Sequence, residues 1–194
     1  MKAHFNPFAP DRVQRSLPFE PQLADTSWEA IEKKWQQLGR RAAVIGHKGS
    51  GKTTFLKTFR GRLEENYQVR CFFFRTGDRL LQPTHLEALA RLPKEENTIL
   101  LVDGEGHLAL RERLRLREGA RHAEGYLVAR HHRSQLPTLL KLQSSALLAV
   151  ELFERLNLEG YEEIRERLPS LLKKKRGNLR EMWLSLYDQY ASQN

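Results

Sequence analysis

Gly46-His47-Lys48-Gly49-Ser50-Gly51-Lys52-Thr53 reads as a complete G-x-x-x-x-G-K-[ST] phosphate loop, and its surroundings decide the fold. It follows the apolar run Ala42-Ala43-Val44-Ile45, which has the form of a buried strand. After it, Thr54 through Leu63 puts Phe55, Leu56, Phe59 and Leu63 on one face of a helix. Strand, loop and helix in that order aim a helix N-terminus at a bound anion. The glycines let backbone N–H groups close around β- and γ-phosphates, Lys52 supplies a point charge, and the Thr53 hydroxyl is placed to ligate Mg²⁺. The nucleotide-binding set is therefore Gly46, His47, Lys48, Gly49, Ser50, Gly51, Lys52, Thr53 and the following Thr54, and it implies a nucleoside triphosphate with Mg²⁺.

Outward from the loop, the pattern alternates between strands and helices. Residues 1–24 hold Pro7, Pro10, Pro18 and Pro21 without a sustained period and read as an extended lead-in that wraps a neighbouring surface. Thr26-Ser27-Trp28-Glu29 is a capping-box signal for a helix with Trp28, Ile31, Trp35 and Leu38 on one face, ending at Gly39. The first strand is expected over about 41–46 and the second over 68–75, with Thr84-His85-Leu86-Glu87 capping a short helix. Thr98-Ile99-Leu100-Leu101-Val102-Asp103 reads as a buried parallel strand ending in an acid. A charged helix, a fourth strand at 125–129 and a weaker fifth at 137–142 follow. From Ser144 the pattern is helical, with breaks expected at Gly160, Pro169 and Gly177. This divides the chain into a lead-in and helix (1–40), a phosphate-loop core (41–143) and a C-terminal helical lid (144–194).

The 194 residues suffice for one α/β core with a small appendage. No apolar run reaches the length of a membrane span and none near the start resembles a leader, so a cytoplasmic protein without membrane attachment is expected. The single cysteine, Cys71, lies in an apolar segment and reads as an inert thiol. The formal charge of +9 fits either of two readings. Seven arginines between Arg111 and Arg133, with a second cluster at Lys173-Lys174-Lys175-Arg176, are solvated helix faces or a surface for nucleic acid.

Asp103 ends its strand in the Walker B manner and is the second expected Mg²⁺ ligand besides Thr53. One strand separates the loop from this acid, an order that resembles the P-loop class with a strand inserted between the Walker A and Walker B strands. That resemblance implies an αβα core with a parallel sheet in the order 5-1-4-3-2. In ATPases of this class a glutamate commonly follows the aspartate and orients the attacking water; here Gly104 follows, and the acid is Glu105. Glu105 is either that catalytic group or an ordinary loop carboxylate. The fourth strand ends in Arg130-His131-His132-Arg133, where related ATPases place a polar sensor. His132 is the first choice, with Arg133 or Arg130 as a second sensor or as a finger reaching a neighbouring subunit. The His-His pair lacks a cysteine or a second histidine pair at zinc-ligand spacing.

Near the end, Arg176-Gly177-Asn178-Leu179-Arg180-Glu181-Met182-Trp183 opens a helix with an N-x-x-E cap. Arg180 breaks a local rule, because a cation in the first helical turn opposes the helix dipole by roughly 0.3–1 kcal/mol. Gly-Asn-Leu-Arg-Glu resembles the sensor-2 motif of AAA+ ATPases, whose arginine reaches the γ-phosphate. With the loop, Asp103, the cluster at 130–133 and the helical tail, the resemblance to a minimal AAA+ ATPase covers nearly the whole chain. More narrowly, Asn6-Pro7-Phe8, His132-Arg133, Leu136-Pro137-Thr138-Leu139 and Leu186-Tyr187-Asp188 make it similar to a group of small bacterial P-loop ATPases. The resemblance implies an ATP hydrolase with catalytic Lys52, Glu105, His132, Arg133 and Arg180, and a lead-in lying over the adenine. It also implies a homo-oligomer, or a partner protein or nucleic acid. A nucleotide-gated binding module with little turnover is an alternative favoured by the displaced Glu105, and a small-molecule kinase is another. No [NT]-K-x-D guanine signature follows the fourth strand.

Overall fold

Every residue of Ile99–Val102 is buried, which explains why this strand shows no polar alternation: both faces of the sheet are covered. The computed structural model describes residues 6–132, 135–158 and 160–193. Five strands, β1 (Arg41–Ile45), β2 (Gln68–Phe73), β3 (Thr98–Asp103), β4 (Gly125–Arg130) and β5 (Thr138–Lys141), form one parallel sheet. Their order is β2-β3-β4-β1-β5, the expected 5-1-4-3-2 read from the other edge. Ile99 and Leu101 face one layer and Leu100 and Val102 the other.

One layer holds α2 (Trp28–Gln37) and α3 (Lys52–Leu63), where Trp28, Trp35, Phe55 and Phe59 pack ring against ring. Burial of each such side chain contributes about 1.5–3 kcal/mol. The other layer holds α4 (Pro83–Arg91) and α5 (Leu110–Ala120), which cover Phe72, Leu100, Val102 and Tyr126 with Leu89, Leu116 and Ala120. The C-terminal segment expected as a lid folds as α6 (Ala146–Glu154), α7 (Glu162–Lys174) and α8 (Leu179–Gln193) around Phe153, Leu168, Leu172, Met182 and Trp183. Ser145 caps α6 by accepting from Leu148 N at 3.0 Å. No helix among the described residues is long and apolar enough to cross a membrane.

Four local expectations are corrected. The lead-in is not extended throughout: α1 (Pro10–Ser16) and a 3₁₀ turn at Pro21–Ala24 form in it, each with proline in the first turn, where the missing N–H is harmless. The cap of α2 is Ser27, whose Oγ accepts from Ala30 N at 3.2 Å, rather than Thr26. The cap of α4 is Gln82, in a box with His85, because Pro83 starts the helix ahead of Thr84. Pro169 does not break α7. It sits on the exposed side, while Leu168 and Leu172 are buried in the lid core and hold the helix through the missing hydrogen bond. The breaks at Gly160 and Gly177 are present, both with positive φ.

The lead-in ties lid to core. Asn6 is buried; its Nδ2 donates to Tyr187 O at 2.9 Å and its Oδ1 accepts from Phe8 N at 2.9 Å. Phe8 packs between Phe153, Tyr161 and Tyr190, and Val13 and Leu17 belong to the same lid core. Two residues later Phe19 belongs to the sheet's core instead, against Trp28 and Phe55, with its N–H on Thr58 Oγ1.

Candidate functional site

The loop turns immediately after β1. Gly46 N donates to Arg130 O at 3.1 Å, tying the loop to the end of β4, and Gly51 takes the left-handed conformation (φ +91°) that lets α3 start at Lys52. At Gly46 a Cβ would lie 2.3 Å from Ser50 Oγ and 2.7 Å from Leu142 O. The first N–H groups of α3 have no intrahelical acceptor and are directed toward the loop.

Lys52 is buried, and its Nζ donates to Gly46 O at 2.6 Å and His47 O at 2.7 Å. Burial lowers its pKa, partly offset by the nearby Asp103 carboxylate. Thr53 Oγ1 donates to Asp103 Oδ2 at 2.5 Å, so the two expected metal ligands meet although fifty residues separate them. A hydroxyl and a carboxylate, with Thr53 exposed and Asp103 half-buried, are the hard-oxygen set that suits Mg²⁺, which takes few protein ligands and completes its shell with water and phosphate. Lys48 and His47 are exposed, and Thr54 is half-buried in the first turn of α3.

Of the cluster after β4, the residue brought to the loop is His131. Its Nδ1 lies 3.5 Å from Lys52 Nζ, and burial together with the Lys52 charge lowers its pKa. Both histidines are exposed, and it is His131, one position earlier than the expected His132, that approaches Lys52. The only advance signal for it was position: His131 is the first residue beyond β4. Arg133 lies outside the described residues.

Glu105 occupies a different place from the one its sequence position suggests. It is 1% exposed, accepts from Tyr126 Oη at 2.9 Å and from Arg117 Nη2 at 3.3 Å, and is ion-paired with Arg130. At 1% exposure this carboxylate faces the interior, where it is the counter-ion of Arg130 and Arg117. Burial lowers the pKa of Arg130 and raises that of Tyr126. The glycine before it has a steric cause. Gly104 is left-handed (φ +76°), and a Cβ there would lie 2.1 Å from Phe74 O, so no glutamate can follow Asp103 directly without moving the end of β2.

The lid reaches the loop through the Gly-Asn-Leu-Arg-Glu segment. A Cβ on Gly49 would fall 1.9 Å from Asn178 Oδ1, and one on Gly177 3.4 Å from the His47 ring. Asn178 Oδ1 also accepts from Glu181 N at 3.2 Å, capping α8 as expected. His47 Nε2 lies 3.5 Å from Ser144 Oγ at the core–lid junction. Arg180, two residues after Asn178, is exposed and has no ion pair among the described residues.

The parallel sheet in the order β2-β3-β4-β1-β5, covered by helices on both faces, is an α/β P-loop fold of the AAA+ type, and comparison with solved structures shows the same fold. The chain is similar to Cdc6p from Pyrobaculum aerophilum with a TM-score of 0.63 at 17% identity, covering 96% of this chain and 65% of that one. It is similar to a Thermotoga maritima RuvB mutant with a TM-score of 0.52 at 16% identity, over 84% of this chain and 61% of that one. A Drosophila ORC structure, bound to DNA, aligns with a TM-score of 0.51 at 14% identity, over 93% and 64%. The chain thus spans under two thirds of the length of these relatives. No protein-family model and no curated protein matches the sequence.

Proposed function

We propose that the protein binds Mg·ATP between core and lid and uses the nucleotide state to set the lid against the phosphate loop, acting through assembly or on a partner. The observation that carries this reading is the contact between Gly49 of the loop and Asn178 of the lid, which brings the start of α8 to the place where phosphates bind. Lys52 leaves the carbonyls of Gly46 and His47 to meet the β- and γ-phosphates, and Thr53 and Asp103 hold Mg²⁺. Mg²⁺ supplies charge neutralisation on the phosphates when bound. His131 reads the γ-phosphate from the β4 side and Arg180 from the lid. The lead-in at Leu17–Phe19, where the chain passes from one core cluster to the other, is the segment that would cover the adenine.

Burial of Glu105 favours a variant of this reading, gated binding with slow turnover. Arg180→Ala tests the lid. The apo protein should keep its thermal midpoint, while the extra stabilisation by a non-hydrolysable ATP analogue over ADP should shrink, because only the triphosphate offers a γ-phosphate to the guanidinium. If the variant keeps the wild-type difference between the two nucleotides, Arg180 is no γ-phosphate sensor.

A further inference from the structure

Helix α5 buries Glu112, Leu116 and Ala120 at four-residue spacing and turns Leu110 and Leu114 outward, 64% and 56% exposed. The loop at 79–81 is clamped to the first turn of this helix. Ala109 N donates to Arg79 O at 2.9 Å, and Leu81 N donates to Glu112 Oε2 at 3.2 Å. Leu80, between them, is 62% exposed. Three of the five exposed large apolar side chains among the described residues therefore stand on adjoining backbone. Among the described residues nothing covers these three side chains, and Leu116 and Leu89 already fill the core beneath.

The setting of these leucines is cationic. Arg79 and Arg111 are exposed and have no ion pair among the described residues, while the acids of α5 are taken, Glu112 by Leu81 N and Arg115, and Glu118 by Arg121. Residues 41–143 carry 19 Lys and Arg against 11 Asp and Glu, so nearly all of the formal charge of +9 lies on the core that bears this face.

We infer that the outer face of α5, with Leu80, Leu110 and Leu114 beside Arg79 and Arg111, docks an acidic amphipathic helix of a partner protein. Such a segment places leucine-type side chains at i and i+4 on the leucines and Asp or Glu beside the arginines, the complement of what α5 presents. A nucleic-acid backbone would neutralise the arginines and leave the three leucines in water. This inference goes beyond the nucleotide reading and does not need it, because none of these residues touches the phosphate loop.

The test is fluorescence anisotropy on the whole chain with three labelled probes: a Glu-rich helical peptide with paired leucines, the same peptide with serines for leucines, and a short DNA duplex. The leucine peptide should bind at least ~10-fold more tightly than the serine peptide, and Leu110→Ser with Leu114→Ser should remove that advantage. ATP affinity and thermal midpoint should stay as in wild type, and Leu114→Ser alone serves if the double variant folds poorly. Equal binding of both peptides, or DNA binding unaffected by the leucine changes, overturns the inference in favour of a polyanion surface. Sedimentation showing self-association that the leucine changes abolish overturns it in favour of a second copy, and failure of the leucine peptide to bind overturns it outright.

Discussion

Replacing Glu105 by alanine separates a catalytic carboxylate from a structural one. The side chain is 1% exposed and holds three donors, so its removal leaves Arg130 facing a hole and strips Tyr126 Oη and Arg117 of their acceptor. Removing one partner of a fully buried ion pair costs about 3–5 kcal/mol. Arg130 keeps 20% of its side-chain exposure and Arg117 keeps 36%, so both guanidiniums partly rehydrate and the loss should fall to roughly 2–3 kcal/mol. For a domain of this size that is a fall in thermal midpoint of roughly 5–10 °C. Urea denaturation without nucleotide reads the loss directly. Glu105→Gln should recover part of it, since the amide oxygen still accepts from Tyr126. The reasoning is refuted if Glu105→Ala is as stable as wild type while hydrolysis disappears, the signature of a free carboxylate used only in turnover.

Lys52→Ala should abolish ATP binding by calorimetry with the core still folded, because the ammonium bonds the loop carbonyls of Gly46 and His47 and no group of the apolar core; unchanged affinity sinks the site. Asp103→Asn should spare much of the nucleotide binding while removing its Mg²⁺ dependence and turnover, and a variant that keeps both shows that Asp103 is no metal ligand. Burial lowers the His131 pKa below 6.5 in the folded state, so the unfolded chain binds the proton more readily and stability must fall as pH drops through that window. His85 is shifted the same way, so His131→Asn should flatten the urea-measured loss between pH ~7 and ~5.5 without removing it, and an unchanged slope rejects the assignment. Asn6→Ala should destabilise by about 2 kcal/mol through two lost buried hydrogen bonds and speed proteolysis of the lead-in; a loss under about 0.5 kcal/mol means the lead-in is not held there.

The loop and the sheet were legible because their chemistry is local. A glycine-rich turn with Lys52 and Thr53 can be read in eight residues, and buried parallel strands show as apolar runs such as Ile99–Val102. Strand order was accessible only through the position of Asp103 one strand beyond the loop. What failed depended on tertiary contacts. Proline content made 1–24 look extended, yet Val13 and Leu17 gain enough from the lid to fold Pro10–Ser16 into a helix; likewise Leu168 and Leu172 carry α7 through Pro169. Which of His131 and His132 approaches Lys52 depends on where β4 stops and which way the next residue turns, and no periodicity encodes that.

Glu105 shows the same limit at the level of chemistry. It is an acid one residue beyond the position expected for water activation, and residue type and spacing do not report exposure. Its role is set by Phe74 O, which forbids a side chain at 104, and by Tyr126, Arg117 and Arg130, which come from α5 and β4 to enclose the carboxylate. Arg130 also gives its carbonyl to Gly46 N, so the enclosed carboxylate is two contacts from the phosphate loop and one from α5. A change in the loop that shifts Gly46 therefore acts on β4, Glu105 and Arg117 as one connected body. Double-mutant cycles between Glu105→Gln and loop variants measure that coupling, and additivity within about 0.5 kcal/mol would show that the contacts are adjacent without being energetically linked.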